Sequence, residues 1–244
     1  MFPLRDTIPS TKPPIFVVAI IVVNILAFFL ELGQGKEIEG FIATFGLIPD
    51  RTLVAFQEAP TLLDAWLMPF FTSMFLHGGW FHIIGNMWFL WIFGDNVEDK
   101  LGHFGFFFFY LSAGIVAALA QIASSPESII PMVGASGAIA GVLGAYMIFF
   151  PQARVVTFIP IFLFPWFIRV PAIFFLGIWF FEQIWAGGMS VGSGASSGVA
   201  WWAHAGGFVW GVLVALVFKS LHRDPPVEVV DEDWFPKEFR GRYG

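Results

Sequence analysis

Apolar residues fall along the chain in six runs separated by polar or Gly/Pro-rich breaks. A transmembrane helix takes roughly 20 mainly apolar residues, and the runs lie at about 14–32, 80–95, 104–123, 133–150, 170–187 and 201–220. The run at 80–95 is short, and the Gly-rich run at 133–150 is weak by hydropathy alone, so both lean on the charge pattern below. The first run reaches Glu31 and Gly33 without a small-x-small cleavage site, which reads as a retained span rather than a removed signal.

The breaks carry their own patterns. Residues 33–79 are too many for a simple connector and contain apolar stretches at 41–48 and 62–76, which predicts a loop folded on itself and lying partly in the membrane interface. Residues 187–198 are almost all Gly, Ser, Ala and Val, a composition that suits either a movable cap or a slack linker. The apolar stretch at 154–169 is interrupted by Pro160 and Pro165 and reads as an interfacial or re-entrant segment rather than a seventh span. From His222 onward, Pro225, Pro226 and alternating charges predict a solvated tail. The expected organisation is an all-α membrane domain over 14–220, with an N-terminal segment 1–13 and a C-terminal tail 221–244.

Charge sets the expected orientation, because Lys and Arg concentrate in cytoplasmic loops. With the N-terminus inside, six spans put Arg5, Lys12, Lys100, Arg154, Arg169, Lys219, Arg223, Lys237, Arg240 and Arg242 inside, and only Lys36 and Arg51 outside. Both termini are therefore expected in the cytoplasm and the long first loop outside. A seventh span would move the tail out and spoil this bias.

Composition agrees with a lipid environment: 57% of the residues are hydrophobic and 12% charged, against roughly 25% charged in soluble domains. Thirty-two Phe and 11 Trp leave no route to a water-facing fold. The net charge of −6 sits in loops and tails and points to no nucleic-acid partner. Cys is absent, which excludes disulfides and thiolate chemistry.

Polar side chains inside a span are costly and mark function. Four stand out: His82 and Asn86 in the second run, Ser136 in the fourth and His204 in the sixth. All lie near the outer ends of even-numbered spans. Ser136 and His204 are each expected about four residues in, roughly 6 Å deep at 1.5 Å per residue. Gly137/Gly141 and Gly207/Gly211 are small-xxx-small pairs, which let membrane helices approach closely. Packing through them would bring the Ser136 hydroxyl to a ring nitrogen of His204, the adjacent base that a serine nucleophile needs. His82 and Asn86, at i and i+4, share a helix face, and both can donate hydrogen bonds to the oxyanion of acyl transfer. The backbone N–H of Ser136, in a first helical turn, is a third such donor. No carboxylate has a place as a triad's third member; Glu182 reads as an interfacial anchor, and His77 as interfacial or supporting.

The chain resembles the rhomboid intramembrane serine proteases in three motifs: His77-Gly-Gly-Trp-Phe-His82-Ile-Ile-Gly-Asn86, Gly134-Ala-Ser136-Gly137, and Ala203-His204-Ala-Gly-Gly207. They occur in the family's order on its second, fourth and sixth helices. The resemblance implies a six-helix rhomboid-like bundle with Ser136 as nucleophile, His204 as general base and acid, and His82 and Asn86 with the Ser136 amide stabilising the oxyanion. It also implies no cofactor and no metal, transmembrane protein substrates, and lateral entry near the second and fifth helices beneath an outer loop. The expected location is the cell membrane of a prokaryote, with the active site toward the outer face. Two departures stand out. Some members carry an aromatic four residues after the serine that stacks on the histidine; here that residue is Ala140, leaving Trp201 or Trp202 to orient the ring. The Trp-Arg pair of some members' first outer loop is also missing.

Three rival readings have weaker sequence support. A metal site from His77, His82 and His204 lacks ligand spacing and a carboxylate partner. A catalytically silent rhomboid-like protein that binds transmembrane segments would be expected to lack the Ser or the His. A transporter would call for an inverted repeat or a line of charge through the inner half of the spans, and neither is visible.

Overall fold

A computed structural model describes residues 2–161, 164–193 and 199–222. The chain opens with a short strand, β1 (Phe2–Asp6), and the first long helix, α1 (Ile15–Gly33). Four short helices follow: α2 (Ile38–Phe45), α3 (Pro49–Glu58), α4 (Leu63–Trp66) and α5 (Met68–Thr72). Then come α6 (Trp80–Leu101), α7 (His103–Ser124) and α8 (Ser136–Phe149). A hairpin of β2 (Arg154–Ile161) and β3 (Phe164–Pro171) leads into α9 (Ala172–Ser193) and α10 (Trp201–Leu221).

Four of the described helices are long and apolar enough to cross a membrane: α1, α7, α9 over Ala172–Met189, and α10. The other two predicted spans differ from these for physical reasons. Helix α6 is long, but its C-terminal end carries Asp95, Glu98, Asp99 and Lys100. Helix α8 has 14 residues, about 21 Å at 1.5 Å per residue. Ser136 is its first residue rather than its fourth. The helix starts there because Gly134 sits at φ +125°, which breaks the helical path.

Helix α8 is the central element. Every residue from Gly137 to Tyr146 is buried, the pattern of a helix surrounded on all sides. Its small residues permit this. A Cβ on Gly207 or Gly211 would collide with the carbonyl oxygen of Gly137 or Gly141, so α8 and α10 touch backbone to backbone along these pairs.

The fold is not all-helical, which corrects the all-α expectation. The stretch at 154–169 forms an antiparallel hairpin, and β1 pairs with β2 to complete a sheet of order β1-β2-β3. Val155, Val156, Thr157, Phe158, Ile159, Phe167, Ile168 and Val170 are β-branched or aromatic types that suit a pleated surface. The N-terminal segment is thereby built into the body. The Trp88 indole donates to the Pro3 carbonyl at 2.6 Å, and Asp6 accepts from Asn96 at 3.0 Å and from the Tyr146 hydroxyl.

The acidic residues at the C-terminal end of α6 tie elements together. Glu98 accepts from the backbone N–H groups of Phe16 and Val17 at 2.9 and 2.8 Å, capping α1, where unpaired donors and the positive dipole end favour a carboxylate. Asp99 accepts from Thr11 N–H at 2.8 Å.

The first long loop folds on itself, and the Arg51 guanidinium pins it by donating to the carbonyls of Ala43 and Gly46 at the end of α2. The Gly/Ser-rich segment is helical as far as Ser193, because Gly187 packs against Trp201 and Trp202 and tertiary contact overrides its poor helix propensity. Its remainder, 194–198, lies outside the described residues, as does the tail from residue 223.

Candidate active site

The bare backbone contact of α8 with α10 sets the spacing of the two side chains that head these helices. Ser136 Oγ lies 2.7 Å from His204 Nε2, hydrogen-bonding distance. The other ring nitrogen of His204, Nδ1, lies 2.7 Å from Oε1 of Gln183 on α9. Two indoles flank the ring: Trp179 tilted at a centroid distance of 6.0 Å, and Trp201 edge-on at 6.2 Å. Of the two candidates expected to orient this ring, Trp201 stands edge-on to it, and both Trp201 and Trp202 lie against Gly187.

Facing this pair are two residues of α6. Around Gly134, two residues before the serine, a Cβ would stand 2.7 Å from His82 Nε2 and 3.6 Å from Asn86 Nδ2. Both side chains therefore reach the turn that presents Ser136. Gly78 N–H donates to His82 Nδ1 at 3.4 Å, so a neutral ring carries its proton on Nε2, the nitrogen turned toward that turn. The Ser136 N–H heads a helix, ahead of the intrahelical ladder. Gly134 N–H, in turn, donates to the Ser73 carbonyl at 2.9 Å, fixing the approach to the serine.

A cavity of about 500 Å³ is lined by Ser136, His204, His82, Asn86 and Gln183, together with apolar side chains that include Met74 and Leu143. All four side chains singled out from the sequence thus share one cavity. His77 is buried outside it, with Nε2 2.9 Å from the Asn86 amide nitrogen. Burial, then the neighbouring His82, pull the His77 imidazole down to about 3, so it is neutral and can accept from Asn86. Its backbone N–H donates to the carboxylate of the buried Glu31 on α1, at 2.9 and 3.1 Å.

Two of these residues escaped the sequence reading. Glu31 looked like the polar end of a span, and Gln183 stood beside the more conspicuous Glu182. Glu182 is exposed and Gln183 is buried. The available signal for Gln183 was an uncharged polar group inside an otherwise apolar span, next to Glu182.

The family described as the Rhomboid domain matches residues 64–221. The chain is 36% identical over 135 residues to the Rhomboid protease GluP of Bacillus subtilis, covering 55% of this chain and 24% of that protein. It is 31% identical over 148 residues to the mitochondrial presenilin-associated rhomboid-like protein of Mus musculus, covering 55% of this chain and 38% of that protein. Over 77 residues it is 42% identical to the chloroplastic rhomboid-like protein 11 of Arabidopsis thaliana, covering 32% and 27% respectively. The chain thus spans well under half the length of each of these relatives.

Proposed function

The chain belongs to the rhomboid family, and on that premise we propose that it is an intramembrane serine endopeptidase acting on transmembrane segments of other proteins through a Ser136–His204 dyad. The observation that carries the reading is the 2.7 Å contact between Ser136 Oγ and His204 Nε2 at the wall of a cavity. In this mechanism His204 Nε2 takes the hydroxyl proton as Ser136 Oγ attacks the scissile carbonyl carbon. The negative charge that develops on the carbonyl oxygen meets donors from His82, Asn86 and the Ser136 N–H. Collapse of the tetrahedral intermediate breaks the C–N bond, His204 returns its proton to the leaving amine, and the acyl group stays on Ser136. A water, deprotonated by the same nitrogen, then attacks the ester and frees the second product.

The apolar shell of the chain supports a multi-pass arrangement in lipid, and α6 and α8 complete six spans in this reading. The cationic bias supports cytoplasmic termini, an outer first loop, and a site opening toward the outer face of a cell membrane. Residues 14–220 form the membrane domain of this scheme, with 1–13 and 221–244 on the inner side. Among the relatives named above are mitochondrial and chloroplastic proteins, so the family fits more than one kind of membrane.

A fluorophosphonate probe tests the proposal in detergent or liposomes. Wild-type protein is expected to be labelled, Ser136→Ala and His204→Ala are not, and a transmembrane substrate is cleaved only by the wild type. A wild-type protein that takes no label, and co-purifies with intact membrane partners, would instead be a silent binder of transmembrane segments.

A further inference from the structure

The catalytic reading leaves open what holds the imidazole, since the residue one helical turn after the serine is the fully buried Ala140 and offers no ring to stack. Gln183 makes a hydrogen-bond contact there, on a third helix. We propose that Gln183 is the positioning residue of the dyad: its side-chain oxygen fixes His204 in the tautomer whose Nε2 is free to take the Ser136 proton. This inference rests on the serine-protease reading above.

The amide's own bonding determines which way it points. Gln183 Nε2 donates to the Trp179 carbonyl one turn earlier, at 3.1 Å. The opposite rotation would set oxygen against oxygen there. With nitrogen committed to Trp179, Oε1 is the atom that faces His204 Nδ1 at 2.7 Å. A carbonyl oxygen can only accept, so Nδ1 must carry the proton. A neutral imidazole has one N–H, so Nε2 is the acceptor for the Ser136 hydroxyl at 2.7 Å. The chain Trp179 carbonyl, Gln183 amide, His204 ring and Ser136 hydroxyl therefore has one consistent direction for every proton. Gln183 is only 6% exposed, so little water competes for its oxygen. Trp179 and Trp201 flank the ring and limit its tilt.

An amide does this job without a formal charge. It orients the ring as a carboxylate does in a Ser-His-Asp site, yet places no anion beside the imidazolium formed during catalysis. That difference supplies a readout which a merely structural glutamine would not move. The test measures fluorophosphonate labelling rate against probe concentration and pH for wild type, Gln183→Leu and Gln183→Glu, with folding checked by thermal melts. Gln183→Leu is expected to lower the maximal labelling rate about 10²-fold, the lower end of what general acid–base catalysis contributes, with half-saturation unchanged. Gln183→Glu restores an acceptor, stays within a few-fold of wild type, and moves the acid limb of the profile to higher pH. His82, the other titratable side chain on the cavity wall, is common to all three proteins.

Wild-type rate and pH profile in Gln183→Leu would overturn the positioning role while leaving the protease reading intact. Equal losses in both variants with an unmoved acid limb would overturn it too, because bulk packing would then explain the loss. Absence of label on the wild type itself would remove the enzymatic reading, and this inference with it.

Discussion

Gly134 and His82 compete for the same space: a Cβ on Gly134 would stand 2.7 Å from Nε2 of the His82 ring. The glycine is also at φ +125°, a conformation that L side chains rarely adopt. These two constraints couple the turn before Ser136 to the α6 face that would receive the oxyanion. Gly134→Ala is therefore expected to cost about 1–3 kcal/mol in backbone strain alone and to push His82 away. A lowered melting temperature together with loss of fluorophosphonate labelling is the expected result; normal labelling in a stable Gly134→Ala protein would contradict it.

Ser136 and His204 are expected to act as one unit. If so, the double variant Ser136→Ala/His204→Ala cleaves no more slowly than the worse of the single variants, because the effects of a nucleophile and its base do not add. Single-turnover cleavage of a reconstituted transmembrane substrate measures this. Additive losses would mean that the two side chains serve separate steps.

If His82 and Asn86 stabilise the oxyanion as proposed, they address the transition state more than the bound substrate. His82→Ala and Asn86→Ala are each expected to lower kcat about 10²–10³-fold with little change in KM. A variant in which KM rises and kcat stays would show that the side chain binds substrate instead.

Contact between α8 and α10 depends on missing side chains. Gly211→Ala would drive a methyl group into the Gly141 carbonyl, and is expected to cost about 1–3 kcal/mol of overpacking and to slow labelling by lengthening the Ser136–His204 contact. Gly177→Ala, in α9 with nothing within 4 Å of the added carbon, is the matched control and should leave labelling unchanged while raising the melting temperature slightly, as Ala favours a helix interior over Gly. Melting curves and labelling rates compare the pair.

Asp6 gives the fold a pH dependence. Burial, reinforced by neighbouring Asp95 and opposed by the Tyr146 hydroxyl, pushes its carboxyl from the ordinary 3.8 up to about 7. Between about 4 and 7 the folded chain holds a proton that the unfolded chain has released. Stability is then full below about 4, falls by up to ~1.4 kcal/mol per pH unit through the window, and levels off above about 7. Tryptophan-fluorescence melts at pH 5 and pH 8 should show the higher midpoint at pH 5. Asp6→Asn should narrow the gap.

Sequence and structure agree best where residue type and neighbours carry the same message. Ser136 and His204 stood out because a hydroxyl and an imidazole among glycines and alanines have few reasons to be inside a membrane helix, and the glycines themselves predicted the approach of α8 and α10. The sheet was hidden. Residues 154–171 are apolar and Pro-interrupted in a way that hydropathy cannot separate from an interfacial segment, and the five residues of β1 are too few to show a period. Gln183 was hidden for another reason. The rotation of α9 decides whether position 182 or 183 faces His204, and a mostly apolar helix sequence does not encode that rotation. Nor could the start of α8 be read to the residue, because it depends on the conformation of Gly134.

The pairing of β1 with β2 joins Phe2 to Phe158. Strand β1 can find its partner only after α1, α6, α7 and α8 have been made, because β2 follows all of them in the chain. The bonds that Asp6 accepts from Asn96 and Tyr146 thus form late, and the ordering of β1 reports that these helices and the hairpin have come together.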